Sequence, residues 1–308
     1  MDESPVANQS ADKAICCVIT VIFIVGVLGN ASAFMYFWPN RHRGIPNKLY
    51  LAIVSVDICT SFLTIPTIIS LFSNREPMLF AISSLCGGWA IVSLFLLRMS
   101  MFLVTIMSIT RTIAIVRPFD EVNLSPIMIA ITVYAAVLLT ENAVYFTLGW
   151  LRGMYLMRQS YCSYHLTGRA HSWAKMTLFI TFQIEVILPS VMVFISFIVS
   201  SVSLMRNRNT VASSASEKAS RKVSVTIALF TAVFLVCNIP IFVFQLLFMI
   251  TFFNPSLYSK INSETTAMYG HLMFLYFPYI LNAALNPLVY FFRMPQYKEK
   301  IAHIWNQR

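Results

Sequence analysis

An all-α membrane protein, a bundle of seven spanning helices with a short amphipathic helix at its C-terminus, is the fold class this chain predicts, and three observations carry it. Of the 308 residues, 58% are hydrophobic and only 11% charged, with a mean hydropathy of +0.72. Seven apolar runs reach the ~20 residues needed to cross a ~30 Å hydrocarbon core; they occupy roughly 14–38, 47–72, 84–115, 125–149, 174–205, 221–253 and 264–292. No period-two alternation runs through them, so helices, which satisfy their own backbone, are the remaining way across. No internal repeat or separate soluble stretch is visible, and residues 1–308 read as a single seven-transmembrane domain.

The first run follows "MDESPVANQS", which lacks the basic start of a cleavable signal peptide, so it is expected to act as its own insertion signal. Lys and Arg are about twice as frequent in the segments that fall inside if the N-terminus is outside, which sets that orientation and accounts for the net charge of +10 without nucleic acid. Asn8, in "NQS", is then an extracellular glycosylation acceptor, whereas Asn30 lies in a span and Asn123 in the cytoplasm. Cys86, at the outer end of the third run, and Cys162, in the loop after the fourth, share the oxidising side and are expected to pair. Cys16, Cys17, Cys59 and Cys237 fall within spans as small apolar residues.

Polar residues inside the spans form a pattern. Asn30, Asp57, Ser100, Asn282 and Asn286 each fall near mid-depth of their own run, so they can converge on one polar cavity. Helix-packing hydrogen bonds are one use for such a set. A carboxylate ringed by hydroxyl and amide oxygens is also a small-cation site, with sodium expected at Asp57. Pro66, Pro189, Pro240, Pro278 and Pro287 interrupt spans, each freeing a carbonyl and permitting a kink. The third span, "SMFLVTIMSITRTIAIVRPF", sets Arg111 after three apolar turns, flanked only by Thr110 and Thr112. A charge so placed needs a partner or a route to water.

"GN" in span one, Asp57, Cys86, Arg111 with the following "RPF", Pro189, "FLVCNIP" in span six and "NPLVY" in span seven together resemble the rhodopsin-like (class A) G-protein-coupled receptors, with features of invertebrate peptide, chemosensory or orphan members. The resemblance covers nearly the whole chain and rests on order and spacing: Cys86 stands 25 residues before Arg111, and Pro118 seven after it. It implies that Asp57, Ser100, Asn282 and Asn286 line a sodium pocket with Asn30 alongside. It also implies a G-protein switch of Thr110, Arg111, Asn238, Pro240, Pro287 and Tyr290, in which Arg111 meets the G protein and Tyr290 swings inward. The implied partners are an extracellular ligand, a heterotrimeric G protein and the lipids of the plasma membrane. The switch is edited: the family's acid before the arginine is Thr110, the aromatic after it Thr112, the sixth-span tryptophan Asn238 and a fifth-span tyrosine Phe197. Arg111 is left to Asp120, Glu121 or Glu217, or to snorkelling into cytoplasmic water.

Three more charges lie in spans: Arg98, Glu141 and Glu185. A bridge from Arg98 to either or both glutamates is expected, with the surplus negative charge offset by a proton or a cationic ligand group. The expected ligand pocket comprises Ser93, Leu94, Leu97, Arg98, Tyr164, Thr181, Glu185, Phe242, Gln245 and Tyr276. By the resemblance, Ser93 replaces the aspartate of amine receptors and Ile280 the retinal lysine, so the ligand is a peptide or a small chemosensory molecule. The loop from Leu151 to Lys175 is basic, with Arg152, Arg158, Arg169 and Lys175 and no acid, and suits steering of carboxylates. The serine-rich inner stretch "RNRNTVASSASEKASRK" offers phosphorylation sites. In the tail, 294–306, Met294, Tyr297 and Ile301 at helical spacing make a helix lying on the inner leaflet. The alternative, a transporter or channel with a midplane polar site, calls for broken helices or an inverted repeat, and neither is visible. An enzyme reading finds no metal-ligand cluster, nucleophile and base, or phosphate loop.

Overall fold

The computed structural model describes residues 5–42, 44–65, 83–117, 123–150, 155–158, 161–164, 172–208, 229, 231–243 and 277–306. These form helices α1 (Pro5–Asn40), α2 (Ile45–Phe62), α3 (Ser83–Val116), α4 (Leu124–Trp150), α5 (Ser172–Arg208), α6 (Thr231–Val243), α7 (Phe277–Arg293) and α8 (Pro295–Asn306). By length and composition, Lys13–Asn40, Ile91–Val116, Leu124–Val144 and Ile184–Arg206 can each cross a membrane, and α6 and α7 contribute shorter apolar stretches. The fold class is the one the sequence predicts, a seven-helix membrane bundle closed by a short C-terminal helix. One element was not foreseen: the loop after α4 folds into a hairpin of β1 (Tyr155–Arg158) and β2 (Tyr161–Tyr164), Met157 facing Cys162 in the ladder.

The bundle is organised around α3, which packs against α2, α4, α5 and both hairpin strands, while α1 lies against α2 and α7, and α8 against α7 and α1. The turn from α1 to α2 passes through Gly44 at φ 125°, a backbone region L side chains rarely adopt, and Pro46 then starts α2 with its ring in the first turn, where no amide donor is needed. Two apolar clusters fill the interior. One includes Ile19, Leu97, Val186, Phe234 and Ile280; the other includes Phe37, Tyr50, Leu103, Tyr290 and Tyr297. Along each helix the buried polar residues fall between them: Asn30 between Ile19 and Phe37, Ser100 between Leu97 and Leu103, Asn286 between Ile280 and Tyr290. The bundle is thus two apolar cores with a polar layer between.

The approach of α1 to α7 depends on Gly29, where a Cβ would stand 2.9 Å from Cβ of Pro287. Real Cβ atoms do not come so close, and a proline ring inside a helix cannot move aside. Gly29→Ala is therefore expected to push the helices apart, an overpacking cost of about 1–3 kcal/mol. Gly88→Ala is the control, since a Cβ there meets nothing within 4 Å. Thermal unfolding of the purified variants checks this: a lower midpoint for Gly29→Ala and none for Gly88→Ala is the expected pattern, and equal midpoints would contradict it.

Candidate functional site

Asp57 projects from the face of α2 that also buries Tyr50, Ile53 and Val54, and it is wholly buried. Its carboxylate accepts a 2.7 Å hydrogen bond at Oδ2 from Asn286 Nδ2 on α7 and a 3.4 Å bond at Oδ1 from Ser100 Oγ on α3. Three helices therefore meet at one acidic group. A second tie joins α2 to α7, where the Thr60 and Tyr279 hydroxyls are 2.8 Å apart.

Asn30 serves the helix backbone. Its Nδ2 donates to the carbonyls of Gly26 (2.9 Å) and Ala283 (3.0 Å), not to Asp57. Ala283 is the residue four before Pro287, so its carbonyl is the one that proline's missing N–H leaves without an intrahelical donor. Asn30 thus repairs α7, and its own Oδ1 remains a buried acceptor without a hydrogen bond among the described residues. Asn282 is buried a turn before Asn286 but is not among the donors to the carboxylate in the described residues. A carboxylate, a hydroxyl and spare amide oxygen in one layer form a donor set that fits a hard cation. Asp57, Ser100 and Asn286 would hold it.

Toward the C-terminal end of α3, Arg111 lies with its Cζ 5.3 Å from the ring centroid of Tyr50 and shares a cavity of about 20 Å³ with Tyr50, Asn286 and Tyr290. Such a space holds about one water. The guanidinium is half-buried over an aromatic ring, a cation–π arrangement. Asp120, Glu121 and Glu217 lie outside the described residues. Tyr50 was missed in the sequence, although it sits two turns before Asp57 on the same buried face of α2.

The hydroxyls beside the arginine are also used. Thr110 Oγ1 donates to the Met107 carbonyl of its own helix, and Thr112 reaches α5, 3.1 Å from the Ser196 carbonyl and 2.9 Å from Ser200 Oγ. Asn238, at the tryptophan position of α6, donates to the Phe234 carbonyl, and Pro240 lies two residues further along the helix. Tyr290 is buried in an aromatic group with Phe37, Tyr50 and Tyr297. Tyr297 ties α8 to α1. Its ring is buried and its hydroxyl is 2.7 Å from Ser32 Oγ of α1, while Lys298 and Lys300 stay exposed. Burial pushes this phenol up and the Ser32 bond opposes the shift.

Toward the N-terminal half of α3, Arg98 joins both glutamates, Nη1 2.9 Å from Glu141 Oε2 and Nε 2.8 Å from Glu185 Oε2. Thr181 donates to Glu141 Oε1 at 3.1 Å. Arg98, Thr181 and Glu185 of the expected pocket are therefore joined into one cluster. Leu97 is in the outer core with Leu94 packed beside it, and Phe242 is 40% exposed on α6. The Ser93 hydroxyl is buried with no hydrogen bond among the described residues. Gln245, Tyr276 and the side chain of Tyr164 lie outside the described residues, as do the side chains of Asn8, Cys86 and Cys162. The backbone carries Asn8 in α1, Cys86 in the first turn of α3 and Cys162 in β2, whose hairpin rests on α3.

A seven-helix membrane bundle whose third helix joins a mid-depth carboxylate layer to an arginine near its C-terminal end defines a class of transmembrane receptors. The profile of the family described as 7 transmembrane receptor (rhodopsin family) matches residues 29–290. The chain belongs to that family, a family of receptors and not of enzymes. Somatostatin receptor type 2 of Mus musculus is 24% identical over 209 residues, covering 67% of this chain and 54% of that receptor, and its Sus scrofa counterpart gives the same figures. Hydroxycarboxylic acid receptor 1 of Mus musculus is 24% identical over 310 residues, covering 92% of this chain and 82% of the other. The chain spans about half the length of the somatostatin receptors it matches.

Proposed function

We propose that this chain is a plasma-membrane receptor, N-terminus outside, that converts binding of an organic ligand between its outer helix ends into activation of a heterotrimeric G protein inside. One observation carries the reading. In a chain of the rhodopsin family, Asp57 bonds Asn286, Tyr290 a turn further on packs on Tyr50, and Tyr50 holds Arg111. A shift of α7 at its inner end is then felt at the arginine. The transporter or channel alternative gains no such support.

The ligand carries a carboxylate, as the C-terminus of a peptide or as a small organic acid. The basic stretch from Leu151 to Lys175, the Ser93 hydroxyl, which makes no hydrogen bond among the described residues, and a relative named for hydroxycarboxylic acids support this. Screening the full-length receptor for G-protein activation with small hydroxy acids, and with peptides bearing free or amidated C-termini, tests it. Masking the carboxylate of an active compound should cost about tenfold or more in potency, the worth of a charge-assisted hydrogen bond. Activation indifferent to masking would remove the carboxylate, and no activation by any arm would remove the ligand reading.

Asp57, Ser100 and Asn286 hold sodium in the resting receptor on this reading. Agonist affinity should then fall as sodium replaces a large organic cation at constant ionic strength, because an ion held by one state opposes the other. Asp57→Asn should abolish the effect. Sodium-independent affinity in the wild type would leave Asp57 as a packing residue only.

Arg111 is turned toward α2 by Tyr50 and away from a docking G protein. Releasing it with Tyr50→Leu should raise ligand-independent G-protein activation by about two- to thirtyfold, the range of a cation–π contact. Thr110→Asp should lower it by supplying a charged partner on the same helix. The measurement is basal activation at matched surface density, and equal signals from all three proteins would show that neither contact sets the balance.

A further inference from the structure

The part of α5 that follows Pro189 is held to α3 by hydroxyl groups. Val193, Ser196 and Ser200 recur at helical spacing and are buried, whereas Phe194, Ile195, Ile198 and Val199 between them are exposed. The face that α5 turns inward is therefore small and polar, with little apolar area to bury. Ser200 is the last buried residue of α5 among the described residues, and Thr110 the last of α3. The seam between the two helices is closed at that end by Thr112, whose Oγ1 lies 2.9 Å from Ser200 Oγ and 3.1 Å from the Ser196 carbonyl.

The Thr112 hydroxyl has one proton and two carbonyls within reach of it. The Ser108 carbonyl of its own helix is 2.9 Å away, closer than the Ser196 carbonyl of α5. If the proton goes to Ser196, Ser200 can give its own to the Thr112 oxygen, and both hydroxyls are satisfied across the seam. If it goes to Ser108, Thr112 is satisfied within α3. Ser200 has the same retreat, the carbonyl four residues back, which is the bond Ser190 makes to Val186 on this helix. The helices can thus part without orphaning a buried polar group, the step that makes most such contacts expensive to break. A buried ion pair has no comparable retreat. The seam has two complete arrangements, a closed one bonded between helices and an open one bonded within each.

Thr112 and Ser196 also line the cavity that holds Arg111, together with Phe197 of α5 and Thr231 of α6. Parting α3 from α5 at this seam removes one wall of that cavity. We propose that Thr112 is a positioning residue for signalling: with Ser200 it forms a hydroxyl latch that keeps α5 against α3 beside Arg111 in the resting receptor. Turning its proton onto Ser108 releases α5 and opens the cavity. The signalling role rests on the receptor reading, whereas the latch rests on the seam alone.

Thr112→Val keeps the shape of the side chain and removes the hydroxyl. In the full-length receptor it should raise ligand-independent G-protein activation at matched surface density by about two- to twelvefold, the worth of one neutral hydrogen bond. Thr112→Ser, which keeps the hydroxyl, should bring the signal back toward the wild-type level. Ser200→Ala should raise it without adding to Thr112→Val, since both remove the same contact. Spin labels carried by Val116→Cys and Met205→Cys, both exposed, report the gap between α3 and α5 in lipid nanodiscs with no G protein present, once the exposed Cys17 and Cys59 are replaced by Ala. Wider separations should gain population in Thr112→Val and Ser200→Ala and not in Thr112→Ser. Equal distance distributions in all four proteins overturn the latch, whatever the signal does, and so does a Thr112→Ser that matches Thr112→Val. Wider separation with a wild-type basal signal in an agonist-responsive receptor overturns the signalling role. Wider separation with no G-protein activation by any of the proteins upholds the latch and removes the receptor reading instead. Ser200→Ala decides the matter where Thr112→Val fails to fold.

Discussion

The hydrogen bond that α7 cannot make for itself sets much of this architecture. Pro287 has no amide proton to offer the Ala283 carbonyl, and hydrocarbon offers no water in its place. Asn30 supplies the donor from α1 at 3.0 Å. It can do so only because Gly29 lets the backbone of α1 approach the proline ring. With α1 and α7 joined in this register, Asn286 faces Asp57 and Tyr290 falls among Phe37, Tyr50 and Tyr297. A proline that looks like a defect in one helix thus fixes the position of two others.

Each buried charge is handled by a different chemistry. Asp57 is met by neutral donors from two neighbouring helices, Arg111 by the face of a tyrosine ring, and Arg98 by two carboxyl groups. The three solutions differ in strength. A cation–π contact is worth about 0.5–2 kcal/mol and yields readily, whereas breaking a buried ion pair costs about 3–5 kcal/mol because a naked charge stays behind. The soft contact lies on one side of the Asp57 layer and the hard one on the other. That gradient is the one a transducing bundle needs, with the end that rearranges less firmly tied.

Hydropathy and charge make the spanning helices legible, since each run must be apolar regardless of its neighbours. The Asp57–Ser100–Asn286 meeting is legible for a similar reason: a polar residue in hydrocarbon has to find another, and few are available. The Arg98 bridge was readable by sign and helical phase. What stayed hidden depends on groups that a sequence does not distinguish. Asn30 binds a backbone carbonyl, which every residue possesses, and only the count of four back from Pro287 singles out Ala283. Tyr50 is one aromatic among many, and its use as a cation partner becomes visible only once α2 and α3 are in register. Tyr297 sits on the apolar stripe of α8, and whether that stripe meets lipid or α1 is decided by the turn before it. The hairpin of the outer loop lacks a Gly-rich turn signal and rests on α3.

The substitutions at Thr110 and Thr112 change where the bundle is held. An acid beside the arginine would tie α3 to itself, but Thr112 ties α3 to α5 through Ser196 and Ser200. Helix α5 is therefore fixed twice, by Glu185 on the outer side of Pro189 and by the hydroxyl group contacts on the inner side. Pro189 leaves the carbonyl of Glu185 without its helical donor, so the helix is most easily bent between the two fixed points. A neutral hydrogen bond contributes about 1 kcal/mol net, far less than loss of a buried charge partner would cost. When α5 bends, the inner contacts give way first. The half that carries Glu185 stays with α3 and α4 through the Arg98 ion pairs, so α5 is expected to pivot at Pro189.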